Sequence, residues 1–216
     1  MATTTVTPPR ASLLWGGLFL FVMAWGLLFS IIQPLNRPPD EGAHAQYIRF
    51  LAEQRRLPRW EPWGGGEAGY EAQHPPLYYA LGAAVYGATK GLPEPWRWHA
   101  LRWFTLLLGS LLFWVARGFF LDYFRGQWLP AWIATAGFML TPLTLLYLCY
   151  INVDGMSLLW CSVILWLSVR RARGMAASWE QGLLPLALGL GLLTKLTVLG
   201  TLPTVVLAHL GEPGVG

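Results

Sequence analysis

Two adjacent acids and a nearby histidine are the residues best placed for chemistry in this 216-residue sequence. Asp40 and Glu41 open an amphipathic run, and His44 follows one helical turn later. A carboxylate fixed at a helix start can take a proton from a hydroxyl, as a general base does. The structural alternative is that Asp40 only caps the helix while Glu41 suits its positive end.

The two histidines of this region admit several interpretations. His44 shares a helix face with Asp40, so the pair could bind a substrate or a divalent metal ion. No third and fourth ligand stands at a fixed spacing, so no metal site is assigned. A solvated histidine at the membrane interface is the structural alternative. His74, which precedes Pro75-Pro76, is open to the same interpretations.

Two further charged residues stand beside apolar sequence. Asp154 lies in Asn152-Val153-Asp154-Gly155 between two apolar blocks, and Lys195 lies in a Leu-rich stretch. An acid at membrane depth is costly and therefore often functional, although an Asn-x-Asp-Gly sequence also makes turns. Lys195 is a natural point charge for a phosphate, and its alternative is to extend towards the nearest interface.

The composition predicts a membrane protein. Hydrophobic residues make up 55% of the chain and charged residues only 12%, so a single globular core could not hide the apolar surface. The apolar residues form long blocks rather than an alternating pattern, which favours helices over a barrel. The net charge of +4 comes from arginines at the ends of these blocks, which indicate topology and give no reason to expect nucleic acid as a partner.

These blocks predict an all-α, polytopic membrane fold in which interfacial helices occupy the first outer loop. The residue ranges are a cytoplasmic N-terminus over 1–11, a membrane helix over 12–32, an extracytoplasmic loop over 33–98 with helices at about 40–57 and 76–89, membrane helices at about 99–120, 128–151, 155–169, 182–194 and 197–210, and a tail over 211–216. We call the loop over 33–98 the outer segment.

The predicted helix over 76–89 decides the topology. Its 14 residues reach only about 21 Å, which is short of the hydrocarbon thickness. If it lies along the interface, six arginines share one side of the membrane, as the positive-inside rule favours: Arg10, Arg117, Arg125, Arg170, Arg171 and Arg173. The N-terminus is then cytoplasmic, and both the outer segment and Asp154 face outward.

Four motifs in this order resemble one family. They are Pro39-Asp40-Glu41 with Tyr47 and Leu57-Pro58, then His74-Pro75-Pro76-Leu77-Tyr78-Tyr79, then Asn152-Val153-Asp154, then Gly191-Leu192-Leu193-Thr194-Lys195. Together they resemble the polyprenyl-phosphate-sugar-dependent glycosyltransferases of the GT-C fold, in the protein O-mannosyltransferase and aminoarabinose-transferase-like branch. The family pattern often has Asn and Asp adjacent, whereas Val153 separates them here.

The resemblance implies an inverting glycosyltransferase of the plasma or inner membrane. Such an enzyme moves a sugar from a polyprenyl-phosphate donor to a hydroxyl of a lipid, glycan or protein acceptor on the outer face. It implies a catalytic base at Asp40, with Glu41 beside it, and a second acid at Asp154. Substrate binding is expected at His44, His74, Tyr78, Arg102, Asn152 and Lys195.

Two other classes of function compete with this one. A transporter or channel subunit also uses a membrane acid and a lysine, but it should place them mid-membrane between broken helices. A membrane scaffold would tolerate changes at Asp40 and Asp154. The family continues through further membrane helices, so the resemblance implies that this chain is the N-terminal part of a longer enzyme.

Overall fold

A computed structural model describes residues 9–37, 39–62 and 66–210, and these residues form helices and turns without a β-strand. The helices are α1 (Pro9–Ile32), α2 (Glu41–Gln54), α3 (Leu77–Ala88), α4 (Glu94–Tyr123), α5 (Trp128–Met139), α6 (Pro142–Tyr147), α7 (Asp154–Ala172), α8 (Glu180–Leu192) and α9 (Leu202–Leu210), with 3₁₀ turns at Tyr70–Gln73 and Leu196–Thr201. The all-helical class predicted from the sequence is confirmed for this part of the chain.

Two of the predicted membrane helices are divided in the structure. The block predicted over 128–151 separates into α5 and α6 at Thr141, whose backbone is extended (φ −57°, ψ 130°). Pro142 explains the division, because proline disfavours helical backbone at the preceding residue and suits the first position of a new helix. The block predicted over 197–210 likewise begins as a 3₁₀ turn before α9.

The long elements pack side by side, and polar contacts mark two opposite ends. At one end the last turn of α1 meets α4 where Arg102 donates to the Ser30 carbonyl, and Lys195 after α8 meets the start of α7 at Asp154. We call this the Asp40 end. At the other end α4 finishes and α8 begins, and we call it the arginine end.

Arg170 organises the arginine end. Its guanidinium donates to Asp122 at 2.7 Å and pairs with Glu180 at 2.8 and 2.9 Å. Arg173 donates to the Asp122 and Tyr123 carbonyls, while Arg117 lies 5.1 Å from the Trp15 ring centre near the start of α1. The arginines that the sequence assigns to one membrane side therefore include three that lie together at one end of the helices.

Helix α3 lies across the Asp40 end. The amide of Leu77 at its start donates to the Leu193 carbonyl after α8, and the Tyr86 hydroxyl near its finish donates to Glu94 at the start of α4. With 12 residues it is about 18 Å long. Because both of its ends contact elements at the same end of the fold, α3 does not run parallel to the long helices through their full length.

Helix α2 packs against α3 through aromatic and aliphatic side chains. Tyr47 stacks on Tyr79 with ring centres 4.0 Å apart, and Ile48 approaches Gly82, where a side chain would meet it at 2.8 Å. Tyr47, Ile48 and Tyr79 are all buried. The two helices of the outer segment thus form one unit above the Asp40 end.

Two of the described helices have the length and composition of membrane spans: Arg10–Ile32 and Glu94–Tyr123. In the most apolar 18-residue stretch of each helix, only 28% and 33% respectively is buried inside the protein. The core helix of a soluble domain is mostly buried. Their outward surfaces are apolar, with Leu20 66% and Leu107 60% exposed.

Candidate functional site

Asp40 lies at the start of α2 with its carboxylate exposed. Its backbone is left-handed (φ 63°), and its side chain makes no capping hydrogen bond to α2. Capping, the structural alternative for Asp40, is therefore wrong for its side chain in this structure. Instead, Oδ1 accepts a hydrogen bond from the hydroxyl of Tyr70, which begins the first 3₁₀ turn.

Behind Asp40, two histidines and a tyrosine meet the buried carboxylate of Glu71. Oε2 of Glu71 lies 3.3 Å from His44 Nδ1, 3.1 Å from His74 Nε2 and 3.2 Å from the Tyr79 hydroxyl. The His44 Nδ1 also lies 2.9 Å from that hydroxyl. Tyr79 has one proton to donate, so its bond to Glu71 makes Nδ1 of His44 a donor. We call these four residues the Glu71 cluster.

Burial and charge oppose each other within the Glu71 cluster. Burial lowers the pKa of His44 below its ordinary value, although the negative charges of Glu71, Asp154 and Asp40 partly oppose this shift. Burial would raise the pKa of Glu71, but hydrogen bonding and charge from His74, the charge of His44 and the Tyr79 hydroxyl lower it overall. The cluster is thus a carboxylate held among donors. His44 is buried, so the prediction of a solvated histidine is wrong.

Asp154 and Lys195 form an ion pair at the same end. Lys195 Nζ donates to Asp154 Oδ1 at 2.6 Å, and both side chains remain partly accessible, at 18% for lysine and 31% for aspartate. Asp154 begins α7, where an acid suits the positive helix end. Lys195 has extended backbone before the second 3₁₀ turn, because α8 has already ended at Leu192.

The ion pair and the Glu71 cluster share one region of the Asp40 end. Asp154 and Asp40 both lie near enough to His44 for their charges to raise its pKa against the larger effect of burial. The Leu77–Leu193 backbone bond brings the start of α3, next to His74, against the chain that carries Lys195. Residues predicted from separate motifs, Asp40, His44, His74, Asp154 and Lys195, are therefore brought together.

Glu41 and Arg102 form a fully buried ion pair instead. Arg102 donates Nε–H and Nη2–H to the two Glu41 oxygens, both at 2.7 Å. Its other N–H groups reach the carbonyls of Ser30, Gln33 and Pro34. All five guanidinium donors are thus engaged. The catalytic role of Glu41 and the substrate-binding role of Arg102 stay predictions, and the geometry gives both residues a structural role.

Tyr78 and Asn152 also have internal partners. Tyr78 is buried, and its hydroxyl pairs with Thr105 at 2.9 Å and accepts the Asn152 amide at 3.1 Å. The Asn152 side chain accepts the Gly155 amide and donates to two carbonyls of the preceding turn. The pair fixes the start of α7, and therefore Asp154, relative to α3 and α4. Their substrate contacts, too, stay predictions.

Three residues of this region were not assigned from the sequence: Tyr70, Glu71 and Tyr79. The spacing of Glu71 and His74, three residues apart, is a readable signal, because one helical turn brings such residues together. Tyr70 and Tyr79 had no such signal. Each meets a partner at least eight residues away in the chain, Asp40 and Glu71 respectively.

Among residues 9–37, 39–62 and 66–210, no group of three or more His, Cys, Asp or Glu side chains could hold a metal ion. No protein-family model matches the chain, and no curated protein or solved structure matches it. The functional assignment therefore depends on the residues and their geometry.

Proposed function

We propose that this chain carries the catalytic base of a membrane glycosyltransferase that moves a sugar from a polyprenyl-phosphate donor to an acceptor hydroxyl. One observation carries the proposal: an exposed carboxylate at Asp40 and an accessible cation at Lys195 lie at the same end of a helical fold with apolar outer surfaces. Base and cation are the two groups that this transfer requires.

In the proposed reaction, the acceptor oxygen attacks the anomeric carbon from the face opposite the phosphate. The new carbon–oxygen bond forms as the bond to the phosphate oxygen breaks, so the anomeric configuration inverts. Asp40 takes the proton of the acceptor hydroxyl, and the phosphate leaves with the electron pair of the broken bond. The lipid, glycan or protein that supplies the hydroxyl belongs to the same proposal.

Lys195 is the proposed partner of the departing phosphate. Its ammonium has three N–H groups, and within the described chain only Asp154 Oδ1 accepts one of them. Two donors remain for phosphate oxygens as negative charge develops there. Asp154 then holds the ammonium in position, while Arg102, whose donors are all engaged, has no direct part in the proposed step.

The proposed orientation places the Asp40 end outside the cell. Three arginines of the opposite end, Arg117, Arg170 and Arg173, then lie towards the cytoplasm, as the positive-inside rule favours. In this orientation α1, α4, α5 with α6 and α7 cross a plasma or inner membrane, and α8 and the α9 segment are two short, broken helices within it. Helices α2 and α3 lie along its outer surface.

A transporter subunit is less well supported by the same geometry. Such a protein should bind ions between broken helices near the middle of the membrane. The second 3₁₀ turn before α9 is a broken element, but the accessible charged pair beside it, Asp154 and Lys195, shares the Asp40 end with the outer segment. We therefore retain sugar transfer at the outer membrane surface as the proposed function.

The test is Asp40→Asn in membranes that contain the protein translated from its whole native reading frame. Asparagine has nearly the same shape as aspartate but cannot accept the acceptor's proton. We expect sugar transfer from a polyprenyl-phosphate donor to fall by roughly 10²- to 10⁴-fold. Donor consumption is measured at matched expression levels.

The control is Glu53→Gln, which removes an exposed acid of α2 that pairs with Arg49. It should leave transfer within about two-fold of the unmodified protein, because an exposed pair of this kind contributes little. Near-normal turnover by the asparagine variant would contradict the proposed base.

A further inference from the structure

Tyr70 is the only hydrogen-bond partner of the Asp40 carboxylate within residues 9–37, 39–62 and 66–210. Its hydroxyl donates to Oδ1, and Oδ2 has no partner in that part of the chain. The left-handed backbone of Asp40 keeps this carboxylate out of the usual capping geometry. The carboxylate is therefore held by a side chain 30 residues away rather than by its own helix.

The position of Tyr70 is fixed by the residues on both sides of it. Gly69, before it, has a positive φ of 71°, a conformation that glycine adopts without strain. Glu71, after it, is buried and bonded to His44, His74 and Tyr79. The Glu71 cluster thus anchors the 3₁₀ turn to α2 and α3, and the turn presents the Tyr70 hydroxyl at Asp40.

We infer that Tyr70 is a positioning residue that orients Asp40, so that Oδ1 is occupied and Oδ2 faces the acceptor hydroxyl. This inference rests on the proposed function, because it names the oxygen of the same base that takes the proton. Tyr70 is not itself catalytic, since it acts through Asp40. Tyr70 had no role among the predictions made from the sequence.

The physical reason is that an aspartate carboxylate rotates easily about its Cβ–Cγ bond. That torsion is broad, so an exposed aspartate without a partner samples many orientations. A hydrogen bond to one oxygen selects one orientation, and the other oxygen keeps its lone pairs for the substrate. Partial burial and the hydrogen bond to Asp40 raise the pKa of Tyr70 above its ordinary value, so the phenol remains a neutral donor.

Tyr70→Phe tests the inference with little risk to folding, because Tyr70 is 40% exposed and the change removes one oxygen. We expect kcat to fall by roughly 10- to 100-fold with the KM for the donor within about two-fold, as for the loss of alignment rather than of binding. Tyr86→Phe is the matched control: it removes another hydroxyl that donates to a carboxylate, Glu94, in the same segment, and should leave kcat unchanged.

A second readout does not depend on activity. The chain has three aspartates, Asp40, Asp122 and Asp154, so protein labelled with ¹³C at the aspartate carboxyl gives three resonances. Asp40→Asn identifies the first by its disappearance. Tyr70→Phe should shift the Asp40 resonance and leave the other two in place, whereas Tyr86→Phe should move none of them.

The outcomes separate the two proposals. An unchanged Asp40 resonance in Tyr70→Phe, or an unchanged kcat beside an inactive Asp40→Asn variant, would overturn the positioning role alone. Normal transfer by Asp40→Asn would overturn the proposed function. A shifted resonance together with a lowered kcat at constant KM supports the inference.

Discussion

Three carboxylates of the outer segment, those of Asp40, Glu41 and Glu71, lie in environments different enough to separate their roles. Asp40 and Glu41 are neighbours in sequence, yet one is exposed with a single tyrosine partner and the other is fully buried against Arg102. Glu71 is buried among two histidines and a tyrosine. Of these three carboxylates, only Asp40 presents an oxygen to solvent without a partner in the described chain, and it alone matches the catalytic base that the first motif implies, which is why we assign the base there.

The sequence predicted the important residue types at this scale but not their pairings. Charged residues beside apolar blocks are costly, so Asp154 and Lys195 could be selected on energetic grounds, and Asp40 could be selected as a carboxylate fixed at a helix start. That Glu41 turns inward could not be predicted, because its partner Arg102 is 61 residues away and brings carbonyls from the end of α1 with it. Adjacent acids look equivalent until the tertiary structure separates them.

Lys195→Gln is expected to reduce transfer while leaving the fold intact. The substitution removes the charge that the proposal places on the departing phosphate, so kcat should fall by roughly 10²- to 10³-fold. The chain has one other lysine, Lys90, which is exposed, and Lys90→Gln is the control. Transfer rates in membranes measure both, and equal rates for the two variants would exclude Lys195 from the reaction.

The buried His44 gives the stability of the protein a pH dependence. Burial lowers its pKa in the folded state below the ordinary value of 6.5, so the unfolded chain binds more protons as the pH falls. The stability that neutral His44 contributes above about pH 6.5 is then lost as the pH falls. The pKa of Glu71 is lowered from 4.5, so its contribution is lost only at more acidic pH.

We therefore expect the Tm of detergent-solubilised protein to fall between about pH 7.5 and about pH 5.5, and to fall less steeply in His44→Gln. Thermal unfolding monitored by tryptophan fluorescence measures both. Parallel curves for the two proteins would show that protonation of His44 does not oppose folding.

Prolines and the lengths of the apolar blocks predicted where most helices lie, but they did not predict where one block is divided into two helices. Helix α2 covers 41–54 where the sequence predicted about 40–57, and α3 covers 77–88 where it predicted about 76–89. Prolines at 75 and 76 mark the start of α3 in the sequence. The division at Thr141 was missed because Leu140 and Thr141 continue an apolar block, which hid the effect of Pro142.

Close packing between α4 and α7 depends on Gly118. A side chain there would lie 2.6 Å from the Trp166 ring, whose Nε1–H donates to Asp122 at 2.7 Å. Gly118→Val should therefore displace Trp166 and destabilise the protein by about 1–3 kcal/mol, even though valine favours a helix more than glycine does.

Gly137→Val is the matched control, because Gly137 lies in α5 with no atom within 4 Å of a new side chain. Thermal unfolding in detergent should show a lowered Tm for Gly118→Val alone. Equal Tm values for the two variants would mean that Trp166 moves aside without cost.

Across the whole molecule, the accessible acids of the proposed site and the organised arginines occupy opposite ends. Asp40 and Asp154 belong to one end, while Arg170 and Arg173 belong to the other. The sequence predicted this separation from the spacing of charges along apolar blocks, because each block that crosses the fold carries the chain from one end to the other. The packing order of the helices could not be predicted in this way.

Single-cysteine labelling tests the membrane orientation. Glu53→Cys places a thiol at an exposed position of α2, and Gln127→Cys places one at an exposed position just before α5. Each is made in a protein whose native cysteines Cys149 and Cys161 are replaced by alanine. In intact cells, a membrane-impermeant maleimide should modify only the Glu53→Cys variant. After permeabilisation it should modify both.

The opposite labelling pattern would invert the proposed orientation. Modification of both variants in intact cells would mean that the two ends do not lie on opposite sides of a membrane. Either result would remove the outward location of the proposed site.

The buried pair of Glu41 and Arg102 has a consequence for synthesis. Glu41 needs Arg102 and the Ile151 amide, so its partners leave the ribosome 61 and 110 residues after it. Burying the carboxylate before they arrive would leave an unpaired charge, which costs several kcal/mol. We therefore expect the outer segment of a nascent chain to stay undocked until Arg102 in α4 is made, and the pocket around Glu41 to be completed only when Ile151 follows.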